Sequence, residues 1–177
     1  IVRKSGALLS KGALKALMSG PASLERVRRV LEQALVYAGA ACVALYAPGQ
    51  DPDVLCLVES AGVPRTLFGL RDSYPRSGHS AVADAHRSGS AVWLGPEQLA
   101  EHAESRRTPS GDFFVAALPA RGDGGGGCLL AVSERREGFD TDDRKCLELI
   151  ADAVGAPASV RAAEGGELLA GSFSLAM

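Results

Sequence analysis

Four short, almost purely apolar runs limit the folds open to this chain more than any other feature of its sequence. A strand with one face in water alternates apolar and polar residues, whereas a strand covered on both faces is apolar throughout. These runs have the length of strands and do not alternate, so they predict a sheet with both faces covered. They are Ala41–Ala47, Val54–Glu59, Phe113–Leu118 and Cys128–Ser133.

Turn residues join these runs in pairs and predict two antiparallel hairpins. The first connection is Pro48–Asp53, and the second is Pro119–Gly127, which contains four consecutive glycines. We expect further short strands near Arg65–Phe68 and at Ala91–Leu94. Asp72–Ser77 is expected to be irregular because it contains a proline, which cannot donate a backbone hydrogen bond.

Helical periodicity flanks the strands at both ends of the chain. Ser23 is a good N-cap for the amphipathic segment Leu24–Ala38, and Asp140 or the residue after it is a good N-cap for Thr141–Val154. Ser5–Ser19 predicts an additional amphipathic helix. Two shorter helices are predicted between the strands, at Gly78–Ser88 and Pro96–Ser105.

These elements predict an α+β fold with three layers. A central antiparallel sheet is expected to carry the long terminal helices on one face and short helices and loops on the other. We divide the chain of 177 residues into an N-terminal helix and linker at 1–20, a core domain at 21–160, and a further linker at 161–177.

Composition narrows the class of partner. Apolar residues make up 46% of the chain and charged residues 23%, and the formal net charge is −2. Such a chain carries no basic field for nucleic acid or an anionic membrane surface. No apolar run approaches the roughly 18 residues of a membrane span. We therefore expect a cytoplasmic protein with no nucleic acid partner and no membrane insertion, whose four cysteines are reduced and buried.

Three local patterns, in a consistent order, carry a resemblance to a known family. The first is Ser77–Leu94, a short helix ending in Arg-Ser-Gly-Ser-Ala-Val before a strand. The second is the strand pair Phe114–Leu118 and Gly127–Val132. The third is Phe139–Asp143, which opens the last helix. Together these patterns resemble the GAF domain, over about residues 24 to 159.

The resemblance implies a regulatory sensor domain from a bacterial signal transduction protein. It implies that the domain binds a small molecule or a partner and relays the signal by repositioning helices. Ala170–Met177 is similar to the first strand of a PAS domain. GAF–PAS arrays precede PPM-type serine/threonine phosphatases or histidine kinases, so the resemblance implies such a downstream effector in the parent chain.

The alternative is a ligandless module of GAF fold that serves only dimerisation. Amphipathic helices at both ends favour a homodimer, with Ser5–Ser19 or Leu24–Ala38 contributing to the interface. A third hypothesis is a free methionine sulfoxide reductase of GAF type, which would need closely placed reactive cysteines. Cys42, Cys56 and Cys128 lie on predicted strands instead, so we expect no enzyme activity from this chain.

A ligand, if one binds, is expected between the sheet and the segment Phe68–Trp93. Serine and histidine side chains near the start of a helix offer polar contacts, where free backbone N–H groups favour an anion or a carbonyl. Aromatic side chains would supply the apolar surface. The candidate ligand-binding residues are Phe68, Ser77, His79, Ser80, Trp93 and Phe114.

No cofactor is identified by these residues. His79 and His86 are predicted to share a helix face, but no third metal ligand is evident. The asparagine and lysine of the cyclic-nucleotide-binding members of the family are absent, and no cysteine lies in a context comparable to the bilin-binding site of phytochromes. Asp140, Asp142 and Asp143 fit helix capping better than metal binding or catalysis. No hydrolase, phosphate-loop or metalloprotease motif occurs in the chain.

Overall fold

The computed structural model describes residues 9–20, 23–99, 101, 112–122 and 126–155. Several predictions lie outside these residues: positions 5–8 of the predicted first helix, the loop at 106–111, and the linker with its PAS-like segment at 161–177. Most of the predicted helix beyond Leu99 lies outside them as well. The first helix itself begins at Lys11, later than the predicted Ser5.

A single antiparallel sheet organises the described part of the chain. The central strands are β1 (Cys42–Pro48) and β6 (Gly127–Ser133), and the spatial order is β3-β2-β1-β6-β5-β4. The two predicted hairpins are present as the pairs β1–β2 and β5–β6. The remaining strands are β2 (Val54–Gly62), β3 (Ser73–Pro75), β4 (Val92–Leu94) and β5 (Phe114–Ala120).

Helices cover both faces of this sheet, as the continuous apolar runs predicted. Two apolar clusters lie on opposite faces, one involving the long helices and the other the short ones. The α+β arrangement of three layers is therefore confirmed. The helices are α1 (Lys11–Met18), α2 (Leu24–Tyr37), α3 (Ala81–Ser88), α4 (Pro96–Leu99) and α5 (Thr141–Ala153).

Side-chain capping begins the two long helices where the sequence indicates. The Ser23 hydroxyl accepts a hydrogen bond from the Arg26 N–H, which satisfies one of the free donors of the first turn of α2. Asp140 caps α5 and forms a reciprocal capping box with Asp143. The α5 helix ends at Ala153, before the glycine that was expected to end it.

The third strand does not lie where the sequence predicted it. Arg65–Phe68 forms a short 3-10 helix, and β3 instead lies at Ser73–Pro75, in the segment expected to be irregular. The proline is compatible with this strand because, among the described strands, β3 is at the sheet edge and pairs with β2 alone. Tyr74 is buried and holds the strand against the core.

The helix α3 begins later than predicted, at Ala81 rather than near Gly78. The Ser80 side chain accepts a hydrogen bond from the Ala83 N–H and so acts as the N-cap. His79 therefore precedes the helix, and the prediction that it shares a helix face with His86 is wrong. The cap decides where α3 starts, because the Ser80 hydroxyl offers the backbone a hydrogen-bond partner that replaces a further helical turn on the N-terminal side.

Candidate functional site

An apolar cavity of about 30 Å³ lies between the sheet and the short elements that cover it. Its floor is formed by Leu94 on β4, Val115 on β5 and Leu130 on β6. These three strands are neighbours, and antiparallel pairing places Leu94 opposite Val115. The three side chains lie on one face of the sheet because successive residues of a strand point to opposite faces.

The cavity roof comes from elements that lie between β2 and β4 in sequence. Phe68 from the 3-10 helix, Tyr74 from β3, and Ala81 and Val82 from α3 all line it. Phe68 also packs edge-to-face on Phe113, with ring centroids 5.4 Å apart. Each roof element is short, with between 3 and 8 residues. The roof therefore consists of small pieces, each of which depends on packing against the sheet for its position.

Two tyrosine hydroxyls on this side of the sheet form hydrogen bonds with the backbone of Arg71. The Tyr46 hydroxyl donates to the Arg71 carbonyl oxygen at 2.7 Å, and the Arg71 N–H donates to the Tyr74 hydroxyl at 3.0 Å. The two rings pack edge-to-face with centroids 5.2 Å apart. Burial raises the pKa of Tyr46 above its ordinary value, so its hydroxyl is protonated at neutral pH.

The candidate residues from the roof segment have different environments. Phe68 lines the cavity. Ser80 is only 2% exposed, but its hydroxyl caps α3. Ser77 and His79 are exposed and are not among the residues that line the cavity. Ligand contact by these four residues stays a prediction. Phe68 is the one of the four that lines this cavity.

Trp93 and Phe114 lie across the sheet from the cavity, on the face covered by the long helices. Trp93 packs on Phe139 with ring centroids 6.0 Å apart, and the Arg144 guanidinium lies 4.6 Å from the centre of the indole ring. Both side chains line a separate groove of about 240 Å³. They are thus not part of the pocket in which they were expected, and their contact with a ligand stays a prediction.

The residues missed by sequence reasoning are the immediate neighbours of those selected. Leu94 and Phe113 line the cavity, whereas Trp93 and Phe114 do not. The alternation of strand side chains means that choosing the adjacent residue selects the opposite face. Val115 and Leu130 show which face of each strand lines the cavity, but the sequence does not reveal it. Both strands are apolar on both faces, so no polar residue marks one face as exposed.

Two cysteines lie on the cavity side of the sheet, on neighbouring strands. Burial raises the pKa of Cys42 to about 11 and that of Cys128 to about 12. The two cysteines are not opposite each other in the sheet, since Cys128 pairs with Tyr46 and Cys42 pairs with Val132. Because the thiolate is the nucleophile, two protonated buried thiols are poorly suited to redox chemistry.

We expect Cys42 and Cys128 to resist thiol reagents in the native protein at neutral pH. The thiolate fraction is small at pKa values of about 11 and 12, and both side chains are almost fully buried. Reaction with a chromogenic disulfide should label these two cysteines only after unfolding in denaturant, as read by peptide mass mapping. Cys56, which is partly exposed, provides the internal comparison. Fast native labelling of Cys42 or Cys128 would contradict this expectation.

His79 and His86 do not belong to a metal site in the described part of the chain. Within that part, no group of three or more histidine, cysteine, aspartate or glutamate side chains is arranged to hold a metal ion. The Nε2 atom of His86 lies 3.0 Å from the Gly126 carbonyl oxygen. His86 therefore connects α3 to the end of the β5–β6 connection.

The connection after β5 contacts elements from both faces of the sheet. The Arg121 guanidinium donates to the Gly89 carbonyl oxygen, at the end of α3, and lies 3.3 Å from an oxygen of Asp152 on α5. The Arg121 N–H donates to the Ala151 carbonyl at 2.8 Å, and the Gly122 N–H bonds the Val154 carbonyl at 3.0 Å. These bonds cap the C-terminal end of α5, whose last carbonyls have no partner within the helix.

The opposite side of α5 borders the N-terminal helix. A groove of about 400 Å³ between α1 and α5 is lined by Leu9, Lys11, Leu149 and their neighbours.

Helices of the described residues all fall short of the length and apolar character needed to cross a bilayer.

Solved structures show similarity over most of the chain. A structure of the GAF domain superposes with a TM-score of 0.62 at 12% identity, and the match covers 82% of this chain and 85% of the other. Free methionine-R-sulfoxide reductase from Neisseria meningitidis, in complex with its substrate, gives 0.61 at 18% identity, over 88% of this chain and 86% of the enzyme. The GAF domain of an Acinetobacter phosphoenolpyruvate-protein phosphotransferase gives 0.57 at 12% identity, over 84% and 87%. Comparison of the sequence with protein-family models and with curated proteins finds no match.

Proposed function

The chain has the GAF fold, and from that premise we propose that it is a regulatory sensor domain that binds a small molecule in the cavity beneath α3. The observation that carries this proposal is the position of the cavity. It lies between the sheet and a roof of short elements, and it shares the concave shape and largely apolar lining of ligand sites in general. The similar structures include both a GAF domain of a phosphotransferase and a free methionine-R-sulfoxide reductase, so the fold alone does not decide the function.

The contacts of α3 support a route from the cavity to the long helices. Ala81 and Val82 line the cavity at one end of α3, and Gly89 lies at the other end, where Arg121 binds its carbonyl. Arg121 also contacts α5 through Asp152 and through its own N–H. A shift of α3 on ligand binding would thus act on the C-terminal end of α5, which follows the usual pattern of small helix shifts in switching proteins.

We propose that α5 passes this shift to an effector in the parent chain, such as a PPM-type phosphatase or a histidine kinase. The domain itself is proposed to be non-catalytic. The buried, protonated state of Cys42 and Cys128 supports this view, because reductase chemistry requires accessible thiolates.

The second candidate function is a ligandless dimerisation module. The groove between α1 and α5 favours it, because apolar side chains such as Leu149 line a concave surface on the helical face. Its lining also includes Lys11, Asp142, Lys145 and Asp152, so the surface carries both signs of charge. Such a surface is compatible with pairing of two copies through oppositely charged contacts around an apolar centre.

Native mass spectrometry of freshly purified protein, at tens of micromolar, tests both functions at once. We expect a homodimer in which each subunit retains a small molecule, and we expect the excess mass to be lost on unfolding. A dimer without excess mass, even after incubation with a metabolite extract, would favour the dimerisation module. A monomer without a retained molecule would contradict both proposals.

A further inference from the structure

We propose that the ligand of this cavity is a neutral apolar molecule, and not an anion, an amino acid or a nucleotide. This inference rests on the proposed function, because it concerns the site assigned there. Among the residues that the structure describes, every side chain that lines the cavity is apolar except Tyr74, whose hydroxyl accepts a hydrogen bond from the Arg71 N–H. A polar ligand that enters such a site loses its hydration and gains no hydrogen bond in return.

The other polar side chains close to the roof are also engaged elsewhere. Ser80 accepts the Ala83 N–H, and Tyr46 donates to the Arg71 carbonyl. Neither hydroxyl lines the cavity. A site built to bind a charged or polar molecule keeps a few polar groups directed at it, and the lining formed by residues 68–130 that the structure describes offers none that is not already bonded.

Two arginines near the roof bind acidic residues or backbone carbonyls. Arg65 pairs with Asp72, and Arg87 pairs with Asp84 while donating to the Arg76 and Gly78 carbonyls. The Nε atom of Arg65 is buried without a hydrogen bond, but Arg65 is not among the cavity-lining residues. Within the described part of the chain, no guanidinium lines the cavity and could bind an anion there.

The volume of the cavity links binding to movement of the roof. A space of about 30 Å³ is large enough for one or two water-sized molecules, since a water needs about 10–15 Å³ on a comparable measure. A larger apolar molecule enters only if Phe68, Val82 or their elements move away from the sheet. Where Val82 is the residue that moves, entry of the ligand also displaces α3, which is the event the proposed relay requires.

Toluene and benzoate form a matched pair of probes, because they share a ring and differ in replacing a methyl group by a carboxylate. We would titrate the full chain with each and follow backbone amide shifts by heteronuclear NMR. Toluene is expected to cause saturable shifts in α3, β5 and β6, and benzoate to bind at least about tenfold more weakly.

Two substitutions on the same helix locate the site. Ala81→Leu places extra carbons in the cavity and should weaken toluene binding by about tenfold or more. Ser88→Leu adds a leucine to the exposed end of α3 and should leave toluene binding unchanged. If Ala81→Leu does not fold, Leu130→Ala replaces it, since it enlarges the cavity floor and should tighten toluene binding.

Benzoate binding at this site as tightly as toluene would overturn the inference about ligand class and leave the cavity as a ligand site. Absence of saturable toluene binding, or toluene binding that neither cavity variant changes, would also overturn it. Native mass spectrometry distinguishes these results from failure of the proposed function. A retained polar molecule would refute the inference that the ligand is apolar, but it would still support binding of a small molecule. A protein that binds no small molecule in either experiment refutes both.

Discussion

Replacing Asp143 by alanine is expected to lower the free energy of unfolding by about 3–5 kcal/mol, because it leaves a partly buried guanidinium without its partner. The Asp143 side chain is 0% exposed and forms an ion pair with Arg135. It also accepts the Asp140 N–H at 2.9 Å, which completes the capping box of α5. One substitution therefore removes both the ion pair and half of the cap.

Without Asp143, the acidic group left near Arg135 is that of Glu137, which is exposed and lies 3.9 Å from the Arg135 Nε atom. The Arg135 guanidinium also donates to the Gly138 carbonyl at 3.0 Å, and it packs against Gly39, where an added Cβ would lie 2.6 Å from it. The side chain thus joins the end of α2 to the start of α5. Loss of Asp143 should loosen this junction and not only the cap.

Asp142→Ala is the matched control, since Asp142 is the adjacent residue in the same first turn and is exposed. It should cost no more than about 1 kcal/mol, the usual size of a helix-dipole contribution. Urea unfolding followed by circular dichroism measures both variants. Equal losses for the two would show that the effect of Asp143 is capping charge alone and that the buried ion pair adds nothing.

Gly122→Ala is expected to destabilise the protein by about 1–3 kcal/mol or more, because the added carbon overlaps the backbone. A Cβ on Gly122 would lie 2.1 Å from the Ala153 carbonyl oxygen. This oxygen belongs to the end of α5 and cannot turn away as a side chain would. The strand end and the helix must separate, which breaks the hydrogen bond from the Gly122 N–H to Val154.

Hydrogen exchange distinguishes this local effect from general unfolding. Amides at the C-terminal end of α5 should exchange faster in Gly122→Ala, while those in the centre of β1 and β6 should change less. Gly12→Ala is the control, because an added Cβ there meets only the Ser10 hydroxyl oxygen at 4.0 Å. It should raise stability by up to about 1 kcal/mol through helix propensity. Gly122→Ala with wild-type stability would contradict the close junction.

Much of the fold could be predicted from the sequence because its signals are local. Apolar runs of strand length indicated a sheet covered on both faces, and the turn residues between them indicated hairpins. Ser23 and Asp140 marked the starts of the long helices, since a capping side chain bonds to an amide three residues away. Such interactions depend on neighbours in the chain and so can be recognised without the tertiary structure.

The candidate site could not be predicted in the same way, because it depends on which face of the sheet each strand residue takes. Trp93 and Phe114 have the residue types expected of a pocket wall, yet they point towards the long helices. The predicted strand near Arg65–Phe68 is a 3-10 helix, and the segment predicted to be irregular contains the edge strand Ser73–Pro75. Both are short, so their conformation is decided by contacts with the sheet more than by intrinsic propensity.

The sequence by itself therefore determined the layers, the hairpins and the ends of the long helices. Only the tertiary structure decided that the cavity lies under α3, that its lining is apolar, and that Arg121 joins α3 to α5. The physical reason lies in the alternation of side chains along a strand. Where both faces of the strand are buried, apolar residues occur on both, so the sequence does not show which residues share a face. Only packing against the helices assigns each side chain to a face.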